Sequence, residues 1–341
     1  MIDLLWSLFL IAAALGFGLG VSGLLGWVER KQSAVLQDRI GANRASIFGL
    51  RLLGLFHPIA DALKTVTKED FEPPFALQPW HRIAPAVSLA FSMAALAALP
   101  YGEAVVFAGR AWSLQPLPLS AGVVLILGLL SIGVHGVVMA GYASNSNYAL
   151  LGGLRGAAQM ISYEVSMLTT LAAVLFLYGT LDMAQAVRWQ AAHGWGALYQ
   201  PVGFLLFLVA GAAETKRAPF DVPEGESEIV GYFIEYSGMK FVMFMMNDFI
   251  ETILLAGLCT ALYLGGWHLP FIEFIPQPWL GLAEVAVFAG KMFAMIFLLM
   301  QVRWALPRFR FDQLLRLGWK NLLPLSLANA LVTLWAVYLL S

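Results

Sequence analysis

Between two long apolar stretches, residues 214–238 read ETKRAPFDVPEGESEIVGYFIEYSG and carry six carboxylates: Glu214, Asp221, Glu224, Glu226, Glu228 and Glu235. The chain as a whole is 60% hydrophobic and 12% charged, so a cluster this dense stands out from its background. Carboxylates beside a bilayer are costly because the ionised form loses hydration, and they persist where they line a wet cavity or a proton route. Burial and mutual repulsion raise their pKa values toward neutrality, where a proton is readily taken up and passed on. The chemistry to expect of this stretch is proton movement; a solvated acidic loop joining two helices is the plainer alternative. One further acid, Glu164, sits inside an apolar segment about two turns from its polar start, too deep for a cap.

The elements that must hold these acids are membrane helices. A mean hydropathy of +0.76 over long apolar runs places the chain among all-α polytopic membrane proteins. Apolar segments near 4–28, 83–99, 119–142, 157–178, 201–213, 229–264, 282–302 and 321–340 give eight expected spans. Gly16, Gly18, Gly20, Gly23 and Gly26 thin the first of them, as close helix packing allows. The sixth carries a polar set, Lys240, Asn247, Asp248 and Glu251, and the seventh carries Glu284 and Lys291. If residues 224–235 continue the sixth helix, Glu224, Glu228 and Glu235 share one face. Between spans one and two, residues 47–68 predict an amphipathic interfacial helix, because His57, Asp61, Lys64 and Lys68 recur at helical spacing among apolar residues. Residues 101–118 and 181–200 read as loops.

The basic residues are distributed unevenly. Sixteen of the twenty Lys and Arg fall after spans one, three, five and seven, against Arg110 and Arg188 on the opposite side. The positive-inside rule makes the first face cytoplasmic and leaves both termini outside. The acidic loop, 214–228, is then cytoplasmic and lies near the basic first loop. The single cysteine, Cys259, excludes a disulfide framework or an iron–sulfur cluster within this chain. The five histidines lie far apart with no metal-ligand spacing, and no repeat or nucleotide-binding glycine motif is present. Any redox cofactor belongs to a partner, and nothing points to nucleic acid. A polar helix stripe, a basic loop and an acidic loop on one face suit a pocket for a polar head group with protons entering a line of carboxylates.

Several stretches carry a family resemblance: ERKQSAVLQDRIGANR, HPIADALK with KED behind it, GGLRGAAQMISYE, AETKRAPFDVPEGESEIVGYFIEYSGMKF and VRWALPRFRFDQLLRLGWKNLLPL. In this order, over nearly the whole chain, they resemble the H subunit of proton-translocating NADH:quinone oxidoreductase, the respiratory complex I component equivalent to mitochondrial subunit 1. The resemblance implies a bacterial inner-membrane protein joining the membrane arm to the peripheral arm. It implies quinone as substrate, flavin and iron–sulfur clusters in partner subunits only, and contacts with lipid, the quinone-site peripheral subunits and the small membrane subunits leading to antiporter-like ones. By the same resemblance Arg39, Asp61, Lys64, Arg217, Phe220 and Asp221 match positions near the quinone head-group path. Glu164, Glu214, Glu224, Glu226, Glu228 and Glu235 match carboxylates of a proton path, and Arg30, Arg44 and Arg155 suit loop anchors.

Two positions depart from the family pattern, Ala42 where proline is usual and Tyr142 where tryptophan is usual; neither removes a charge. Two rival readings stand beside the resemblance. A homologous membrane component of a hydrogenase or formate-linked complex would need no quinone, and nickel-ligand cysteines in a neighbouring soluble protein would favour it. A passive anchor for peripheral subunits would have no need of Glu164 in mid-bilayer.

Overall fold

In hydrocarbon no water satisfies backbone N–H and C=O groups, so an apolar run of this length satisfies them internally as a helix. The computed structural model describes residues 2–107, 109–225, 228–229, 231–270, 272–276 and 279–340. Its long helices are α1 (Ile2–Leu36), α3 (Gln78–Leu96), α4 (Gly122–Ala143), α5 (Asn147–Tyr178), α8 (Pro201–Glu214), α9 (Gly238–Tyr263), α10 (Trp279–Ala305) and α12 (Leu323–Leu340). Shorter ones are α2 (His57–Thr67), α6 (Met183–His193), α7 (Gly196–Tyr199) and α11 (Phe311–Arg316), and a π-helical turn, Leu317–Leu322, leads into α12. The chain is an all-α polytopic membrane protein in which, among the described residues, six helices are long and apolar enough to cross a bilayer. The 14-residue α8 is apolar but shorter.

Helices α5 and α9 form the interior. α5 packs on α4, α8 and α12, and α9 packs on α3, α10 and α1. α3 closes the bundle by lying against both α4 and α9. Its approach to α4 is close: a Cβ on Gly136 would stand 2.7 Å from the backbone nitrogen of Ser88. α1, α10 and the C-terminal helix are mostly uncovered, as helices facing lipid or neighbouring subunits are.

Four stretches differ from expectation, each for a local reason. The sixth helix begins at Gly238, not near 229, because Gly231 and Gly238 both take positive φ (+106° and +55°) and break the helical path. Glu224, Glu228 and Glu235 therefore do not share a helix face. The interfacial helix begins at His57, not 47, since Phe48, Gly49, Leu52, Leu53 and Gly54 all have positive φ. The stretch 101–118 contains a hairpin, β1 (Ala104–Phe107) with β2 (Arg110–Ser113), pairing Val105 with Trp112. The stretch 181–200 contains α6, whose N-cap Asp182 accepts a hydrogen bond from the Ala184 amide at 2.9 Å.

Candidate functional site: a buried ionic centre

The segment after α8 does not lie in solvent. α8 ends at Glu214 with Thr215 as its C-cap, and Lys216 takes a positive φ of +53°, so the chain turns back into the bundle with Thr215, Lys216, Phe220, Asp221 and Val222 all buried. The polar backbone of such a segment needs internal partners. Gln159 of α5 provides them, its amide nitrogen donating to the carbonyls of Ala213 and Phe220 at 2.7 Å each. Phe220 is held between Phe309, with ring centroids 5.4 Å apart, and Tyr163, at 6.0 Å.

The centre of the site is Lys216. Its fully buried ammonium lies 3.0 Å from Asp248 and 3.5 Å from Glu251 of α9. Asn247 donates to the other side of Glu251 at 2.7 Å. Burial alone would favour the neutral amine, but Asp248 and Glu251 outweigh it and raise the Lys216 pKa, so the lysine stays charged. Glu214, just before it at the end of α8, has both carboxyl oxygens buried without a hydrogen-bond donor among the described residues. A cavity of about 10 Å³ between Glu214 and Glu251 is just large enough for one water molecule. Glu164 is buried on α5, accepts from Ser131 of α4 at 2.5 Å, and lies within electrostatic reach of Glu214.

On the loop side, loss of hydration, then the charges of Asp248 and Asp221, push the Glu224 carboxyl well above the usual range. Asp221 accepts from Arg308 at 2.8 Å, yet burial outweighs the pull of Arg308 and Arg303 and lifts its pKa to about 6. An acid whose folded pKa exceeds its unfolded one stabilises the fold fully below the unfolded value, here 3.8, and loses that contribution as pH rises through about 6. Asp221→Asn is therefore expected to flatten the decline in thermal stability across that window. Melting midpoints of parent and variant at matched pH values check this, and parallel profiles would refute it.

The remaining expected residues are placed as follows. Arg217 stacks over Phe249, its guanidinium carbon 3.8 Å from the ring centroid, and pairs with Glu29 of α1 at 3.3 Å; Arg303 meets the same carboxylate. Arg155 and Glu228 pair at 3.0 Å near the exposed rim. Asp61 and Lys64 lie outside the centre, on α2, where Asp61 pairs with Arg30 at 2.6 Å and Lys64 stands 3.6 Å away. Arg39 is exposed and bonded to Gln37 at 2.7 Å. Glu226 lies outside the described residues. Glu235 is half-buried and belongs to a second junction. There Ser237 donates to the Glu69 carbonyl at 3.0 Å and accepts from the Phe71 amide at 2.9 Å, while Lys240 meets Asp70 at 2.8 Å and Glu72. Hydrogen bonds from Arg82 and Lys240 hold the Glu72 pKa down at about 2, so this pin between the first loop and α9 stays charged at neutral pH.

Lys216, Asp248, Glu251 and Glu29 were absent from the expected set. Asp248 and Glu251, three apart in an apolar helix, were the available signal. No group of three or more His, Cys, Asp or Glu among the described residues is arranged to hold a metal ion.

A family model described as NADH dehydrogenase matches residues 8–334. The chain belongs to this NADH dehydrogenase family. It is similar to the H subunit, form 1, of the NADH-quinone oxidoreductase of Geobacter metallireducens, 43% identical over 94% of this chain and 93% of that protein. The H subunit, form 2, of Geobacter sulfurreducens is also 43% identical, over 94% and 92% of the two chains. The H subunit, form 1, of Cytophaga hutchinsonii is 37% identical over 97% and 96%. Membership of the NADH dehydrogenase family thus spans every helix that contributes to the ionic centre, from Glu29 on α1 to Arg308 after α10.

Proposed function

We propose that the chain is the H subunit of a proton-translocating NADH-quinone oxidoreductase in a bacterial inner membrane, helping to form the quinone chamber and coupling quinone reduction to proton transfer. The observation that carries this reading is the burial of Lys216 against Asp248 and Glu251, with buried Glu214 beside them, in a segment that also bears the basic and aromatic groups Arg217 and Phe220. Quinone is the substrate, its head group received near Arg217, Phe220 and Asp221, with Asp61, Lys64 and Arg39 along the approach from α2 and the first loop. The carboxylates then carry charge inward. A change of charge at the entrance shifts the proton affinity of Asp221 and Glu224, and its electrostatic effect reaches Glu214 and Glu164 by way of Asp248 and Glu251. Flavin and iron–sulfur clusters reside in partner subunits, so the isolated chain catalyses nothing. Its neighbours are the quinone-site peripheral subunits and the small membrane subunits. The main loops face the cytoplasm and both termini the outer side.

Glu214→Gln tests the reading, since it keeps the shape and removes the charge. In membranes where the complex still assembles, quinone reductase activity and proton pumping are expected to fall together by about tenfold, a typical coupling free energy between sites. Parental values of both would place the proton route elsewhere.

A further inference from the structure

Helices α1 and α10 meet differently at their two ends. At the inner end Glu29 of α1 pairs with Arg303 of α10, and Gln32 with Gln301, so the helices touch directly. Toward the outer end they part around a cavity of about 290 Å³. Leu10 and Phe17 of α1, Tyr101 and Leu114 from the flanks of the hairpin, and Phe288 and Met292 of α10 line it. Tyr101 meets Phe17 edge to face at 6.3 Å and Phe288 at 5.6 Å, and its hydroxyl is spent on the Leu96 carbonyl at 3.1 Å. Such a wall gives water nothing to bond. A recess of this kind between two lipid-facing helices is filled by hydrocarbon, since a gap forfeits dispersion contacts along its whole lining.

Two opposite charges stand above the recess. Asp3, Leu10 and Phe17 are seven residues apart and share a face of α1, which sets Asp3 about 10 Å above Leu10 along the axis. Asp3 accepts a hydrogen bond from Arg110 of β2 at 2.5 Å, and both side chains are exposed. Trp6 ties the hairpin to the helix: its indole donates to the Ser113 carbonyl at 2.7 Å, and its ring packs 5.2 Å from Trp112. Tryptophans in this setting mark the headgroup level of a bilayer. The headgroup layer is roughly 5–8 Å thick on each side, so Asp3 and Arg110 stand among headgroups while Leu10 stands in hydrocarbon. Arg110 spends one N–H on Asp3, and Asp3 spends one oxygen; their remaining side-chain groups have no hydrogen-bond partner among the described residues.

We propose that the outer end of α1 and the hairpin bind one phospholipid of the phosphatidylethanolamine type, its phosphate on Arg110, its primary ammonium on Asp3 and one acyl chain in the recess between α1 and α10. A zwitterionic headgroup matches a zwitterionic pair, and both contacts are charge-assisted hydrogen bonds. A quaternary ammonium has no N–H for Asp3, and the rings that could cage it are taken, Trp112 by Arg110 at 4.8 Å and Trp6 by Phe9 at 5.5 Å. A headgroup with net negative charge would suit Arg110 and be repelled by Asp3. The lipid then joins α1 to α10 at the outer end, as Glu29 and Arg303 join them at the inner one.

The inference rests on the proposed function only in placing this end of α1 in the outer leaflet. The whole complex is reconstituted into vesicles with a phosphatidylethanolamine carrying a diazirine in one acyl chain, irradiated, and the adducts are mapped by peptide mass spectrometry. Adducts are expected on α1 between Leu10 and Phe17 and on α10 between Val285 and Met292. Excess unlabelled phosphatidylethanolamine should lower their yield about threefold more than phosphatidylcholine or phosphatidylglycerol of the same chains, the scale of an exposed charge pair. Asp3→Asn combined with Arg110→Gln should abolish that preference, and Ala13→Phe, which sets a ring into the recess away from the charges, should lower the adducts on α10. Equal competition by all three lipids in the parental complex, a preference unchanged in the double variant, or adducts spread evenly over the lipid-facing helices would overturn the proposal. So would labelling of the same residues by a photoreactive quinone that phosphatidylethanolamine fails to displace. Sidedness is read separately from Ala111→Cys, at an exposed position of β2, with a membrane-impermeant thiol reagent. Labelling from the cytoplasmic side would count against the topology in the proposed function and leave the competition series to decide the lipid site.

Discussion

Lys216→Met should deplete the protein from membranes. The lysine is fully buried, and Asp248 and Glu251 face it at 3.0 and 3.5 Å. Removing one partner of a buried ion pair costs about 3–5 kcal/mol, because the remaining charges stay desolvated and uncompensated. Here two carboxylates would be left, with Glu214 and Glu224 already crowded around them. A membrane protein holding a net margin of about 5–15 kcal/mol cannot absorb much of that. Methionine keeps the unbranched stem, one atom shorter, and leaves the positive-φ turn's burden unchanged, so the loss comes chiefly from the missing ammonium. Lys216→Met combined with Asp248→Asn removes one of the orphaned charges and should recover part of the lost abundance. Immunoblots of membranes and thermal midpoints of the purified protein measure both effects. A single variant at parental abundance, or a double variant no better than the single one, would show that the centre is not held by this pairing.

The same centre shows how far the sequence is legible. Glu164, Glu214, Asp221 and Glu224 stand out because an acid in or beside an apolar run has few reasons to be there. Their counter-charge does not stand out. Lys216 lies in a short polar turn and reads as one of several loop bases, while its partners are 32 and 35 residues downstream, a pairing only tertiary packing creates. The helices were legible from hydropathy, since the bilayer imposes both length and composition. Their ends were not. Apolarity continues through Ile229 to Ile234, yet Gly231 at φ +106° turns the chain before α9 can start, and the face expected for Glu224, Glu228 and Glu235 never forms. Likewise the stripe on α2 was visible as a period of polar residues, but the positive φ at Phe48, Leu52 and Leu53 leaves no trace in residue type. Glycine marks permission for such a conformation; leucine and phenylalanine do not.

Where glycine marks a close approach instead, the second large effect is expected. In the stretch GGLRG, Gly152 of α5 faces the re-entrant segment. A Cβ there would stand 2.9 Å from the Tyr232 nitrogen, and 3.3 Å from both the Gly231 carbonyl carbon and the Pro223 oxygen. One turn on, a Cβ at Gly156 would meet the Pro223 ring at 3.3 Å. These neighbours are backbone and a proline ring, which have no rotamer to yield, so the segment itself must move. Gly152→Val should therefore cost roughly 1–3 kcal/mol or more in overpacking, and shift the loop that carries Asp221 and Glu224 away from Asp248. Gly152→Ala should show the smaller form of the same defect. Gly23→Ala on α1 is the control: nothing lies within 4 Å of its added Cβ, and alanine improves helix propensity by about 1 kcal/mol, so stability should hold or rise. Because the loop acts through position and not merely through presence, quinone reductase activity per assembled complex should fall further in Gly152→Val than the loss of abundance accounts for. Activity that merely tracks abundance would mean the segment tolerates displacement, and the geometry around Lys216 would then matter for folding alone.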